Sequence, residues 1–218
     1  MLTGGLTLLL GAADDFFDLS PLIKLTFQTV ISLTAAIMLS QSEPVSFILI
    51  KAVYILLLIN AFNFIDGLDG LCTGISVSSL FFFSLCDLLF LNTGTGISAI
   101  LLLLSLAGFI PLNAYPAKLY MGDAGSETIG LSVALFSLSY IKEGLFIGSV
   151  FLLIPIADAL IAIIRRLAAH RSPFNADKEH LHHKLLDLGF SHPAAVNFLV
   201  IISVFISFIS LSAYLLGS

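Results

Sequence analysis

Asn60-Ala61-Phe62-Asn63-Phe64-Ile65-Asp66-Gly67-Leu68-Asp69-Gly70-Leu71 follows an apolar run from Phe47 to Ile59 that only Lys51 interrupts. Two carboxylates and two amides therefore stand at the mouth of a membrane-length segment. An acid in lipid costs a few kcal/mol or more, so such residues face a bundle interior, an ion or a watery cavity. If the helix ran on through them, Asn63, Asp66 and Asp69 would recur at i, i+3, i+6, within an arc of about 120°. Gly67 and Gly70 remove side chains beside the two acids and let backbone or ligand approach. An interfacial loop with Asx-turns is the plainer alternative. The stretch is better read as an acidic, ligand-binding mouth.

Composition agrees with a membrane setting. The chain is 58% hydrophobic and only 11% charged, with a mean hydropathy of +1.08; ordinary soluble domains carry roughly 25% charged residues. This predicts one all-α, polytopic transmembrane helix bundle over residues 1–218, with no separate soluble domain. Cys72 and Cys86 fall on one predicted helix, about 21 Å apart at helical rise, too far to bridge. No secretory leader is evident: residues 1–13 lack a basic start and run into Asp14-Asp15.

Apolar runs mark eight segments, at about 2–13, 22–40, 47–65, 71–91, 97–113, 126–141, 145–165 and 194–216. Seven are near spanning length. The first, at about 18 Å, is short for a hydrocarbon core of about 30 Å. Alternation places the loops at 14–21, 66–70, 114–125 and 166–193 on one side. That side holds Lys24, Lys118, Arg165, Arg166, Arg171, Lys178 and Lys184, against Lys51 and Lys142 opposite. The basic excess predicts that it is cytosolic, with Ser42 outside and Asn175 inside. Asp14, Asp15, Asp66, Asp69 and Asp123 gather there too.

Several of these groups ask for a chemical reason. Asp14-Asp15 closes the first segment, where adjacent carboxylates oppose the helix macrodipole and repel each other, which favours a cation or a catalytic role. Lys24 reads either as a snorkelling interfacial lysine or as a phosphate contact. In the loop Asn113–Ser126, Gly122, Gly125 and Ser126 leave backbone N–H groups at a helix N-terminus, a favourable place for phosphate. Asp123 there would repel a bare phosphate unless a divalent cation lay between them. Asp158, three residues after Pro155, either lines a cavity or pairs with a polar neighbour. In the polar loop, His180, His182 and His183 lack the spacing of a tetrahedral zinc site, and donor chemistry toward phosphate or nucleotide suits them better.

Four motifs, in order and on one face, resemble the polyprenyl-phosphate N-acetylhexosamine-1-phosphate transferases, glycosyltransferase family 4. They are Asp14-Asp15 with Lys24; Asn60-x-x-Asn63-x-x-Asp66-Gly-x-Asp69-Gly; Pro116-Ala-Lys-x-x-Met-Gly-Asp-Ala-Gly-Ser126; and Arg171-Ser-Pro-Phe with His180-x-His-His183. The likeness runs from about Gly11 to Gly189. The spaced histidines look like the bacterial undecaprenyl-phosphate N-acetylglucosamine branch rather than the phospho-N-acetylmuramoyl-pentapeptide translocases, which carry three adjacent histidines.

The resemblance implies attack of a polyprenyl (undecaprenyl) phosphate oxygen on the β-phosphorus of UDP-N-acetylglucosamine, releasing UMP. Such a step initiates a cell-envelope polysaccharide of the lipopolysaccharide, O-antigen or teichoic-acid kind. It implies Mg²⁺, or Mn²⁺ in its place, held by Asn63 and Asp123. Asp14, Asp15 and Lys24 are the implied catalytic residues at the lipid phosphate. Asp66, Asp69 and Asn113 would shape the nucleotide side, and Arg171, His180, His182 and His183 would cover pyrophosphate and sugar. The partners implied are the lipid, the UDP-sugar and a bacterial cytoplasmic (inner) membrane, with the active site on the cytosolic face. No nucleic acid is expected, and a homodimer is compatible with the reading. A non-catalytic relative and an ion-coupled transporter are the competing readings. Ala176 stands where the family usually has proline, and Glu127 where a neutral residue is commoner. The family also has helices and a basic loop ahead of the Asp-Asp pair, so the 218 residues alone are expected to be a weak or inactive transferase, with an upstream stretch or partner chain supplying the rest.

Overall fold

A computed structural model describes residues 2–40, 42–91, 94–142, 147–170 and 180–217. Among the described residues ten α-helices follow one another: α1 Leu2–Phe17, α2 Pro21–Leu39, α3 Val45–Ile65, α4 Leu71–Cys86 (continued by a π turn, Asp87–Leu91), α5 Thr95–Asn113, α6 Gly122–Lys142, α7 Ile147–Val150, α8 Leu153–Ala168, α9 Leu181–Asp187 and α10 His192–Gly217. No strand occurs among the described residues. The expected all-α, multi-pass class holds. Among the described residues five helices are long and apolar enough to cross a membrane: Pro21–Leu39, Val45–Ile65, Leu71–Phe90, Thr95–Asn113 and His192–Leu216. Four of these bury less than a third of their residues. Phe27 and Val30 on α2, Val53 on α3, Leu101 and Leu104 on α5 and Phe205 and Phe208 on α10 point outward, as helices solvated by lipid require.

Three segments differ from the sequence reading. The first helix continues through Asp14-Asp15 to Phe17, giving 16 residues, or about 24 Å. The sixth begins at Gly122, so the glycines expected before it lie in its first turn. The seventh is broken into α7 and α8. Pro155 has no N–H to donate back to the Phe151 carbonyl, and that carbonyl instead accepts the Ser79 hydroxyl at 2.9 Å. The helical arc drawn through Asn63, Asp66 and Asp69 fails as well. Helix α3 stops at Ile65, and Gly70, at φ +82°, turns the chain into α4.

The chain divides into two compact units. Unit 1 comprises Met1–Phe64, Met121–Ala134 and Pro155–His180; unit 2 comprises Ile65–Tyr120, Leu135–Ile154 and Leu181–Ser218. In unit 2, α4 is the interior helix, and Phe83 packs against Tyr140 and Phe151 with ring centroids 5.3 and 5.5 Å away. Tyr140 donates its hydroxyl to the Phe83 carbonyl at 2.6 Å, which removes the polar cost of burying it. At the far end of α4, Asp87 accepts the Gly96 N–H and the Thr95 hydroxyl, capping α5.

In unit 1, Ile55, Leu58, Ile59 and Phe62 of α3 are fully buried, and α1 lies directly on the start of α6. A Cβ on Gly11 would come within 2.5 Å of the Ala124 backbone. Gly11→Ala is therefore expected to destabilise the chain by about 1–3 kcal/mol, the usual cost of overpacking. Gly5→Ala on the same helix, with open space around it, should be neutral or mildly stabilising. Thermal unfolding in detergent compares the two. Equal stability of both variants would show that α1 is not seated on α6.

Candidate active site

The polar centre of unit 1 is built from three helices. Helix α1 brings Asp14 and Asp15 to its last turn, α2 brings Lys24 and Gln28, and the first turns of α6 bring Asp123 and Glu127. Within α2 and α6 the spacing is i, i+4, which puts each pair on one helix face. The Lys24 ammonium touches all three acids: Asp14 Oδ2 at 2.8 Å, Glu127 Oε1 at 2.8 Å, and Asp123 Oδ2. Carboxylate oxygens of Asp14, Asp123 and Glu127 lie within 4.8 Å of one another. Fully ionised, three carboxylates and one ammonium carry a net charge of −2.

The remaining contacts fix this arrangement. Asn63, from the last turn of α3, donates its amide to Asp123 Oδ1 at 2.6 Å and lies 3.4 Å from the Ser126 hydroxyl. Asp14 Oδ1 accepts the Leu19 N–H at 2.8 Å. Gln28 donates to Glu127 Oε1 at 3.0 Å and accepts from Asn60 at 3.0 Å. Hydrogen bonds from Asp123, then Lys24, hold the Asp14 carboxyl below the ordinary carboxylate range, although burial pulls the other way as the largest influence. Burial pushes the Asp123 carboxyl up, Asp14 adds to that, and Lys24 opposes it.

Asp15 has a different position. Its carboxylate accepts the backbone N–H groups of Asp123 at 2.8 Å and Ala124 at 3.1 Å, capping α6 from another helix. Gly122 permits this, since its φ is +66° and a Cβ there would meet the Asp15 carboxylate at 2.9 Å. The Asp123 and Ala124 N–H groups at this helix start are thus engaged by Asp15. Farther along unit 1, His180 Nδ1 lies 2.8 Å from Asp158 Oδ2, both buried; the Phe64 ring packs against the imidazole at 5.1 Å, and the Arg166 guanidinium lies over the Phe64 ring. Asp158 therefore pairs. An apolar groove of about 190 Å³ is lined by Leu25, Val53, Leu56, Phe64 and Ile163, with Asn60 at its polar end.

Unit 2 holds the other expected residues. Asp69 accepts the Ala117 N–H at 2.9 Å, and buried Asn113 accepts the Thr73 hydroxyl and donates to the Leu119 carbonyl. Both pin the loop between α5 and α6. A cavity of about 260 Å³ adjoins it, lined by Asp69, Gly74, Tyr115, Asn197 and Val200 among others. Asp66 is half-buried in the turn after α3. His182 is buried, its Nε2 so close to Gly67 that a Cβ there would stand 2.3 Å away, and its ring stacks on His183. Arg171, like Asn175, lies outside the described residues.

Two residues of the unit 1 centre were not singled out from sequence for the site: Gln28, which reads as one more residue of an apolar helix, and Glu127, which stands out only as a departure from a pattern. The i, i+4 spacing from Lys24 and from Asp123 is the signal that could have found them.

Comparison with known proteins supplies a frame for these contacts. Residues 1–141 match the family model described as glycosyl transferase family 4. The decaprenyl-phosphate N-acetylglucosaminephosphotransferase of Mycolicibacterium smegmatis is 33% identical over 235 residues, covering 90% of this chain and 58% of that protein. The undecaprenyl-phosphate alpha-N-acetylglucosaminyl 1-phosphate transferase of Thermotoga maritima is 32% identical, covering 80% and 57%. A probable undecaprenyl-phosphate N-acetylglucosaminyl 1-phosphate transferase of Bacillus subtilis is 33% identical, covering 97% and 63%. The chain spans about three fifths of the length of these curated relatives.

Proposed function

Because the chain belongs to glycosyl transferase family 4, we propose that it transfers N-acetylglucosamine 1-phosphate from UDP-N-acetylglucosamine to a polyprenyl phosphate, with Mg²⁺ or Mn²⁺, at the cytosolic face of a bacterial inner membrane. The observation that carries the reading is the meeting of Lys24 with Asp14 and Asp123, beside Asn63. Residues from distant parts of the chain make one charged centre next to an apolar groove. That suits an amphiphile with a phosphate head and a hydrocarbon tail.

A divalent cation fits the residues present. The cluster carries excess negative charge, and Glu127 Oε2, fully buried, has no hydrogen-bond partner. Asp123 would hold the ion with Asn63, whose amide oxygen would have to turn toward it. When bound, the ion supplies neutralisation of the pyrophosphate charge and polarisation of the phosphorus under attack. The chain's own residues do the rest. Lys24 draws the lipid phosphate to the Asp14 side and offsets its charge. Asp14 orients that phosphate and accepts its proton if the head group arrives protonated. Asp15 keeps α6 seated, and with it Asp123. A lipid phosphate oxygen forms the new bond to the β-phosphorus of the UDP-sugar, the bond from that phosphorus to the bridging oxygen breaks, and UMP leaves with the electron pair. Catalysis is then mainly positioning and charge stabilisation. Within unit 2 itself, the cavity beside Asp69 has the mixed lining that a uridine would use, and His182 and His183 carry donor chemistry suited to pyrophosphate.

The test is UMP formation from UDP-N-acetylglucosamine, a polyprenyl phosphate and Mg²⁺ in detergent, with a complete relative as the positive control. UMP and a lipid-linked diphospho-sugar are expected, both abolished by chelation. No UMP from this chain or from a version extended upstream, under conditions where the relative turns over, would overturn the reading.

A further inference from the structure

Glu127 is the member of the unit 1 cluster that the proposed chemistry does not use. It is fully buried, one helical turn beyond Asp123 on the same face of α6. A buried carboxylate is costly unless its charge is met by partners. Only half of it is satisfied: Oε1 receives the Lys24 ammonium and the Gln28 amide, whereas Oε2 has no hydrogen-bond partner. Gln28 is itself fixed by Asn60, so the carboxylate is held rather than free to turn away. A buried oxygen in this state calls for a proton or a further positive group. One of its oxygens lies within 4.8 Å of a carboxylate oxygen of Asp14 and of Asp123, the arrangement from which a small hard cation draws oxygen ligands.

We propose that Glu127 is a ligand of the divalent cation, adding a second carboxylate to the site that Asp123 would hold with Asn63, beside Asp14. The ion meets the orphaned Oε2, and Lys24 remains on Oε1 and on the lipid side. This rests on the metal reading above and deepens it, because it assigns to this chain a coordinating acid where the family pattern more commonly has a neutral residue. Lys24 and the cation compete for the same three acids, so the lysine weakens metal binding while it neutralises the empty cluster.

The experiment measures Mn²⁺ binding to the purified chain by the electron paramagnetic resonance of free Mn²⁺, with no substrate present. Wild type, Asp123→Asn, Glu127→Gln, Lys24→Met and the double variant Lys24→Met/Glu127→Gln are compared. Glu127→Gln is expected to weaken Mn²⁺ binding by about tenfold or more, and Lys24→Met to strengthen it. The decisive result is that Glu127→Gln weakens binding equally in the Lys24→Met background, which a pair acting only through the lysine would not show. Unchanged affinity in Glu127→Gln, or a loss that disappears once Lys24 is gone, overturns the inference while Asp123→Asn still reports the metal site. Absence of Mn²⁺ binding in wild type overturns the metal reading and this inference together. If Glu127→Gln does not fold, Glu127→Asp carries the same comparison, since it keeps the charge but withdraws the oxygens by one methylene.

Discussion

Asp123→Asn is expected to abolish UMP formation while leaving the chain folded. The substitution keeps the side-chain volume and an oxygen that can still accept the Asn63 amide, now made at 2.6 Å. It removes the charge that opposes Lys24 and that a divalent cation needs. Loss of an outer partner of a metal ligand already costs roughly 10–100-fold in affinity or activity, so loss of a ligand charge should exceed that. Stability should change little, because Lys24 keeps Asp14 and Glu127 as partners. The measurements are turnover as a function of Mg²⁺ concentration and the unfolding temperature in detergent. Turnover and Mg²⁺ dependence like those of wild type would remove Asp123 from the site. A collapse of stability would make its role structural.

Asp123 and Lys24 illustrate what could be read in advance. The sequence raises cation chemistry at Asp123, which would repel a bare phosphate, and phosphate contact as one of two readings of Lys24, the other being a snorkelling interfacial lysine. Which helix would bring which partner was not legible. Asp15 shows why: adjacent to Asp14 in sequence, it points to a different task, capping α6, and the direction of a side chain at a helix end depends on tertiary packing. Glu127 was missed because a lone acid after Gly-Ser reads as helix-start decoration. Its meaning lies in the Lys24–Gln28 face of another helix.

The same contrast holds for the fold. Long apolar runs marked α2, α3, α4, α5 and α10 as spanning, since length and hydropathy are what lipid selects for. The break before Pro155 was less visible, because it depends on Ser79 from a helix 72 residues away accepting the task of satisfying the freed carbonyl. Asp69 and Asn113 carry the polar signature of a ligand mouth. In unit 2 each also holds the loop that follows α5, and residue type cannot separate those two duties.

Lys24→Met should lower the stability of the chain by about 3–5 kcal/mol, the range seen when one partner of a buried ion pair is removed. Methionine keeps the apolar stem that packs in α2, so the loss isolates the charge. The three acids are unequally exposed: side chains of Asp123, Asp14 and Glu127 are 30%, 11% and 0% accessible. Water can reach the first two, so most of the penalty should fall on Glu127. That yields a sharper expectation for the double variant. Lys24→Met/Glu127→Gln removes the stranded charge along with its partner, and stability should return most of the way toward wild type, as apolar or neutral replacement of both members of a buried pair often does. Mn²⁺ should also restore Lys24→Met by mass action, about 2.7 kcal/mol at a hundred times its dissociation constant. Unfolding free energies of the four proteins, with and without Mn²⁺, decide the matter. If the two single losses simply add in the double variant, Lys24 and Glu127 are not energetically paired, and the ammonium is held by Asp14 and Asp123 alone.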